Sequence, residues 1–432
     1  MIVNGEGRTG SLTSAYRLAW GVALIFYFLE YVVRAAPAVM LPELSTAFNV
    51  DTVSVSVIVG TYYYTYSVTS LVAGAALDRW GARTPVVIGL AMLGLGCLLF
   101  VVPVSPIGDT GRLLQGAGSA FAFTGAVFLA TRGFSGSALA TAVGFTQSFG
   151  MLGGSAGQLG VGPLIHGPLD WRGFWIVTAL ACFVVAVVLF ITTPRDAGRP
   201  SHDAGRSNSI LAPFKTVLGN PQSYLCGIIA GLLFVPTTVG DMVWGVLAFE
   251  KDRSFEYGRA ISVVAMVPLG WAIGCPLLGW MADALGRRKF ALTGGAIVML
   301  AALLVIAFTP DLPVNYAAML VVGIGSGAAM IPYTIIKEVN PAGVEGSAVG
   351  VINFVTFAVT AVIGPVFARF IGAGVGLNSD HIAQFREGAL FWASCVAVAL
   401  FLSLLLRETG RGRSGEPRSP LSLVNLGSAG QP

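Results

Sequence analysis

Twelve apolar runs, each of about 17–25 residues, constrain this chain more than any other feature, because each is long enough to cross a bilayer as a helix. Hydrocarbon offers no partner to a backbone N–H or C=O, and a helix satisfies its own, so the runs predict an all-α polytopic membrane protein. Composition agrees: 55% of the residues are hydrophobic and 11% charged, where a soluble chain carries about 25% charged. The 56 glycines suit close helix packing in lipid. All five cysteines fall inside apolar runs without paired spacing, which reads as small core residues and not as disulfides or metal ligands. The net charge of +4 comes from short-loop anchors, so no nucleic-acid partner is expected, and nothing implies a cofactor.

The first six runs are Leu18–Leu41, Ser54–Leu77, Pro85–Val104, Gly111–Thr131, Leu139–Leu164 and Gly173–Thr193. The second six are Ser223–Ala248, Arg259–Ala282, Phe290–Thr309, Val314–Ile336, Ser347–Ile371 and Gly388–Leu406. The expected organisation is a tail over 1–17, a six-helix bundle over 18–193, a polar linker over 194–220, a second bundle over 221–406 and a disordered tail over 407–432. The residues before Arg17 are polar and Gly-rich, and the first run is too long for a signal segment, so no cleaved leader is expected. With both termini cytoplasmic, that side holds 17 of the 25 Lys and Arg, the other side seven, and Arg34 lies within the membrane. This bias predicts that orientation, in a bacterial inner membrane.

The two halves repeat. Gly74-x-x-x-Asp78-x-x-Gly81 recurs as Gly279-x-x-x-Asp283-x-x-Gly286, 205 residues on. Gly144 and Gln147 find Gly350 and Asn353 at 206, Gly162-Pro163 finds Gly364-Pro365 at 202, and Gly116-x-Gly118 finds Gly323-x-Gly325 at 207. Four matches at nearly constant offset argue for duplication. Parallel halves about an axis normal to the membrane place a site at their interface, near mid-depth.

The first run carries two opposite charges. From Leu18, Glu30 and Arg34 would sit roughly 18 and 24 Å into a hydrocarbon layer about 30 Å thick. Each ionised group at that depth costs about 2.5–3.5 kcal/mol, which is tolerated where groups face one another or a solute path. Their i, i+4 spacing puts them on one face. Pro37 withdraws the helical hydrogen bond to Val33, so a kink is expected beside Arg34.

The loops Asp78-Arg79-Trp80-Gly81-Ala82-Arg83 and Asp283-Ala284-Leu285-Gly286-Arg287-Arg288 are tight turns whose glycines permit special dihedrals. Their carboxylates are suited to capping a helix or pairing across the halves. Here the chain resembles the major facilitator superfamily, whose signature between the second and third helices is Gly-x-x-x-Asp-Arg-x-Gly-x-Arg. Gly74, Asp78, Arg79, Gly81 and Arg83 match it, and the second copy departs at Ala284. The resemblance covers Arg17 to Leu406. It implies two six-helix bundles, alternating access of one cavity between them, and loops that latch the outward-facing state. Arg112-Leu113-Leu114-Gln115-Gly116-Ala117-Gly118 resembles a second superfamily motif whose Arg serves gating or proton coupling; the other reading has Arg112 snorkelling and pairing with Asp109. Asp170-Trp171-Arg172-Gly173-Phe174 resembles a common family turn before the sixth helix, and ordinary interfacial anchoring also accounts for it.

Tyr27, Tyr31, Arg34 and Pro42 are similar to the first helix of the organophosphate and organic-anion branches, in which the Arg binds the substrate's anionic group. Tyr66 matches a tyrosine that lines their site, and Tyr62 lies one turn before it on the same face. Gln147, Asn353 and Trp244 complete the candidate substrate set. The phosphate-ester members place a second Arg in helix seven and a His in helix five; this chain has Asp241 in the seventh run and no His before His166 in the fifth. Glu30 and Asp241 against Arg34 sum to −1 if all are ionised, which disfavours a dianionic phosphate ester. A zwitterion, a monoanion moving with protons, or a cation fits better. The candidate proton carriers are Glu30 and Asp241, and a salt bridge between Asp241 and Arg34 across the halves is physically reasonable.

The function expected is secondary active transport of a small polar or charged organic solute by proton-coupled symport, from a monomer. Within that class the rival is proton-driven efflux by antiport. Its span-five pattern Gly-x-x-x-Gly-Pro-x-x-Gly-Gly fails here at Gln158 and His166. From another class, a non-transporting membrane sensor would need a large soluble domain. An enzyme would need a catalytic cluster. The sequence has neither.

Overall fold

A computed structural model of the chain describes residues 6–134, 136–195, 212–309, 311–341, 344–375 and 381–410. The expected linker and final tail therefore lie largely outside the described residues. Helices α1 (Glu6–Ala35), α2 (Tyr62–Trp80), α3 (Arg83–Phe100), α4 (Ser105–Gly133), α5 (Gly136–Leu159) and α6 (Trp171–Thr192) form the first bundle. The second begins with α7 (Pro221–Val235), which continues as a π-helix over Pro236–Gly245. It is completed by α8 (Met266–Leu285), α9 (Arg288–Phe308), α10 (Leu312–Ser326), α11 (Glu345–Val375) and α12 (His381–Ser403).

Among the described residues ten helices are long and apolar enough to span a membrane, and a bent pair, Leu41–Phe48 with Thr52–Leu77, makes an eleventh. The remaining span of the twelve is α5, whose Gly, Ser, Thr and Gln dilute its hydropathy. Helix α1 already begins at Glu6, twelve residues before the apolar run at Leu18.

Position in each bundle follows composition. About 39% of the apolar window of α6 and 44% of that of α12 are buried, against 83% for α1 and 89% for α7. Leu180, Val184 and Ile191 of α6 face outward with no polar neighbour to justify it in water; they are lipid-facing. Most of the buried polar residues lie on α1, α2, α4, α5, α7, α10 and α11. The halves meet where α2 packs on α11 and α5 on α8.

Local chemistry sets the ends. Pro37 stops α1 at Ala35, where a 3₁₀ turn over Ala36–Val39 takes over, so the expected kink is a break. Asp170 caps α6 through the Gly173 N–H at 2.7 Å, and Asn220 caps α7. Gly81 and Gly286, the closing glycines of the duplicated loops, have φ of 70° and 60°, a region side chains resist.

Candidate functional site

Arg34 is 1% exposed and Glu30 wholly buried, one turn apart on α1, and they form an ion pair. The same Glu30 oxygen accepts the Tyr62 hydroxyl of α2. Five aromatic rings close around the guanidinium: its carbon lies 4.5 Å from the ring centre of Tyr31, 4.8 Å from Tyr66, 5.2 Å from Phe357, 5.5 Å from Tyr62 and 5.9 Å from Tyr63. Such placement stabilises a cation out of water. Phe357 belongs to α11, so the cage is completed from the other half.

Two further candidates flank it. Gln147 of α5 accepts the Tyr27 hydroxyl at 2.9 Å, and Asn353 of α11 accepts the Tyr333 hydroxyl at 2.6 Å. The repeat-related amides thus play matching parts, each using its oxygen on a tyrosine and leaving its NH₂ unpartnered. Arg34 Nε and Nη1 are likewise buried donors without partners. Four unused donors collected at one interface can receive an oxygen-rich anion.

Asp241 is not where the charge argument put it. Its Oδ2 accepts from Gln158 Nε2 of α5 at 2.9 Å, while Arg34 is taken by Glu30. The i, i+4 neighbour satisfies Arg34 locally, so no bridge across the halves is needed. Trp244, also proposed for the substrate, lies a turn from Asp241 and packs on Phe367 at 6.0 Å, apart from the Arg34 cage.

Arg112 does not snorkel, nor is it bonded to Asp109. It is 1% exposed and donates to Gln115 Oε1 at 2.6 Å, to the Val59 carbonyl at 3.1 Å and to the Val33 carbonyl at 3.3 Å. Val33 carries the carbonyl that Pro37 leaves without a helical donor, so Arg112 caps the break in α1.

The duplicated loops differ in their described contacts. Arg83 donates to the Phe190 carbonyl of α6 at 2.9 Å and stacks on that ring. Arg79 is exposed, Gly74 lies against the Gly346 backbone of α11, and the Asp78 side chain lies outside the described residues. In the second copy Arg288 pairs with Asp283 and, at 3.2 Å, with Glu338 of the short helix Ile331–Glu338. Arg287 is exposed, and the space beside Gly279 is open. These ion pairs remain inside the second half.

Sequence reading missed Phe357, Tyr333 and the role of Gln158. Gln158 alone carried a signal, as a polar residue in a span and a break in the efflux pattern. Phe357 is one phenylalanine among 26 and carried none.

Two six-helix halves thus meet with buried, incompletely satisfied polar groups at their interface. The chain belongs to the Major Facilitator Superfamily, whose family model matches residues 23–365. It is therefore a multi-pass membrane protein of that superfamily. It is similar, at 24% identity over 55% of its length, to a gentisate transporter of Corynebacterium glutamicum, of which it covers 52%. A probable hexose phosphate transport protein of Chlamydia trachomatis is 21% identical over 61% of the chain, which covers 63% of that protein. The chain thus spans about half to two thirds of the length of these relatives. A crystal structure of a bacterial homolog to the human lysosomal transporter Spinster, inward-facing and unoccupied, matches 91% of this chain and 97% of its own with a TM-score of 0.72 at 14% identity, which shows the shared fold.

Proposed function

We propose that the protein is a proton-coupled symporter of a small organic monoanion, an aromatic carboxylate above all, bound at Arg34. The observation that carries this is the pair of unused donors on a guanidinium already walled by aromatic rings. Each unused N–H flanks Nη2, so a carboxylate gains a two-pronged edge of the guanidinium once Glu30 gives up Nη2, and a flat apolar body fits between the rings. Glu30 supplies the coupling. While ionised it occupies Arg34; once protonated it releases Arg34 to the anion, so one proton and one anion enter a site that stays neutral overall. Gentisate, the solute named for one relative, is an aromatic carboxylate. A hexose phosphate, named for the other, carries up to two charges against a single Arg, and no second Arg stands in α7. The organic-anion branch of the superfamily is thus the better fit. The Lys and Arg bias supports both termini in the cytoplasm and a site in a bacterial inner membrane.

Uptake by proteoliposomes tests this, with gentisate, benzoate and glucose phosphate supplied outside and an inward proton gradient imposed. Gradient-driven carboxylate uptake that Glu30→Gln uncouples is the expected result. Stimulation by the phosphate ester alone would overturn it.

A further inference from the structure

A cavity of about 490 Å³ lies mainly in the second half, at the end of the bundle away from the chain termini, with Asp51, Thr52 and Val53 of the first half on its rim. It is walled by α7, α9, α10, α11 and α12, and none of the Arg34 cage lines it. Its size lies in the range that encloses a small organic ligand. Its walls are apolar apart from Asp241 at the α7 side and a polar mouth.

Asp241 is 3% exposed, and one of its oxygens, Oδ1, has no partner, while Oδ2 holds Gln158. A carboxylate oxygen buried without a donor is costly unless a donor or countercharge reaches it. On the same wall stand Trp244, Phe367 and Trp392, with Phe367 and Trp392 ring centres 4.2 Å apart. Aromatic faces beside a carboxylate suit a cation with an apolar body. Leu303, Ile306 and Met319 would enclose that body.

The backbone is shaped for this. Helix α7 runs as a π-helix from Pro236 to Gly245, an uncommon form that tends to occur at functional sites. A Cβ on Gly240 would stand 2.8 Å from Trp392 Nε1, so the glycine lets that ring reach α7. At the mouth lie Asp51, Asp252 and Lys251, the lysine facing Glu250 at 3.6 Å. Asp51 caps Thr52–Gly60, and the Ser54 hydrogen bonds hold its carboxyl below its ordinary range. The entrance is thus mixed in charge, with Lys251 and the Arg253 next to Asp252 set against the acids.

We propose that this cavity binds an organic monocation, an N–H-bearing ammonium on an aromatic or branched apolar body, with its nitrogen on the Asp241 carboxylate, whose Oδ1 turns toward the cavity to meet it. It is a second site, separate from the Arg34 anion site and independent of that reading.

Binding of phenylbutylamine, phenylbutanol and phenylbutyrate to the purified full chain in nanodiscs tests it, by titration calorimetry and by quenching of tryptophan fluorescence at neutral pH. The ammonium should bind at least about tenfold tighter than the alcohol, with the carboxylate weaker at this site. Asp241→Asn should erase the gap between amine and alcohol. Ala389→Phe, which fills the cavity from α12, should weaken both, while Glu30→Gln leaves amine binding as it was. Equal affinity of amine and alcohol would overturn the proposal. So would amine binding that survives Ala389→Phe, or that is lost in Glu30→Gln and kept in Asp241→Asn. If Asp241→Asn fails to fold, the amine–alcohol gap and the Ala389→Phe result decide.

Discussion

The two halves treat their buried charges in opposite ways. In the first, Glu30 and Arg34 neutralise one another, Tyr62 joins them, and aromatic rings fill the surrounding space. In the second, Asp241 has one amide partner, no cation, and a cavity beside it. A buried ion is tolerated either by supplying its countercharge from the same helix or by leaving room for one to arrive. The first solution makes a site that must be unlocked, the second a site that stands ready.

The sharpest way to break this comparison is to remove one charge from each. Arg34→Ala strands Glu30 in a dry, closed place, and the expected loss of stability is about 3–5 kcal/mol, with carboxylate uptake abolished. Asp241→Ala removes an acceptor from a neutral amide beside a cavity and should cost only about 1–3 kcal/mol. Equal losses in denaturant unfolding would mean that Asp241 is as firmly neutralised as Arg34. The next largest effect separates the packing around each. A Cβ on Gly116 would meet the Tyr62 carbonyl at 2.0 Å, so Gly116→Val should push Tyr62 off Glu30 and lower stability by about 3 kcal/mol. Gly240→Ala displaces only the edge of Trp392, which has the cavity to move into, and should lower the midpoint by less.

Arg112→Met removes the donors at the Val33 and Val59 carbonyls. A loss of about 1–3 kcal/mol is expected, while solute exchange without a gradient continues, as radiolabel counterflow would show. Loss of counterflow with unchanged stability would instead restore a gating role to Arg112. The smallest effect is expected of Tyr62→Phe. It removes one hydroxyl from Glu30, should cost about 1 kcal/mol, and should leave the amine binding proposed for the other half unaltered.

The span pattern and the internal repeat made the architecture legible, because hydrocarbon leaves a chain few alternatives. That Glu30 and Arg34 share one face was legible from their i, i+4 spacing, while their pairing with each other was left to the structure. For Asp241 the suggested bridge to Arg34 is not formed, because its depth could be read from the sequence but its bearing around α7 could not. The π-helix widens each turn and so rotates the side chains along it, and composition gives no sign of it. Phe357 was invisible because a cage completed from another helix depends on how two halves dock.

The seam between the halves has its own consequence. Ser67 donates to the Phe354 carbonyl at 2.8 Å, Ser148 to Ala272 at 2.9 Å, Ser155 to Ala265 at 3.0 Å, and Tyr63 to Thr238 at 3.1 Å. In each case a hydroxyl leans on a carbonyl of the opposite half. When the halves part, a serine hydroxyl can turn back to a carbonyl on its own helix, and a helical carbonyl keeps its own amide. The three serine fasteners thus come undone without stranding either side, whereas Tyr63 and the Gln158–Asp241 bond must find other partners. A protein held together in this way can have closed and open forms close in free energy, so that a small difference in binding free energy suffices to tip it from one to the other.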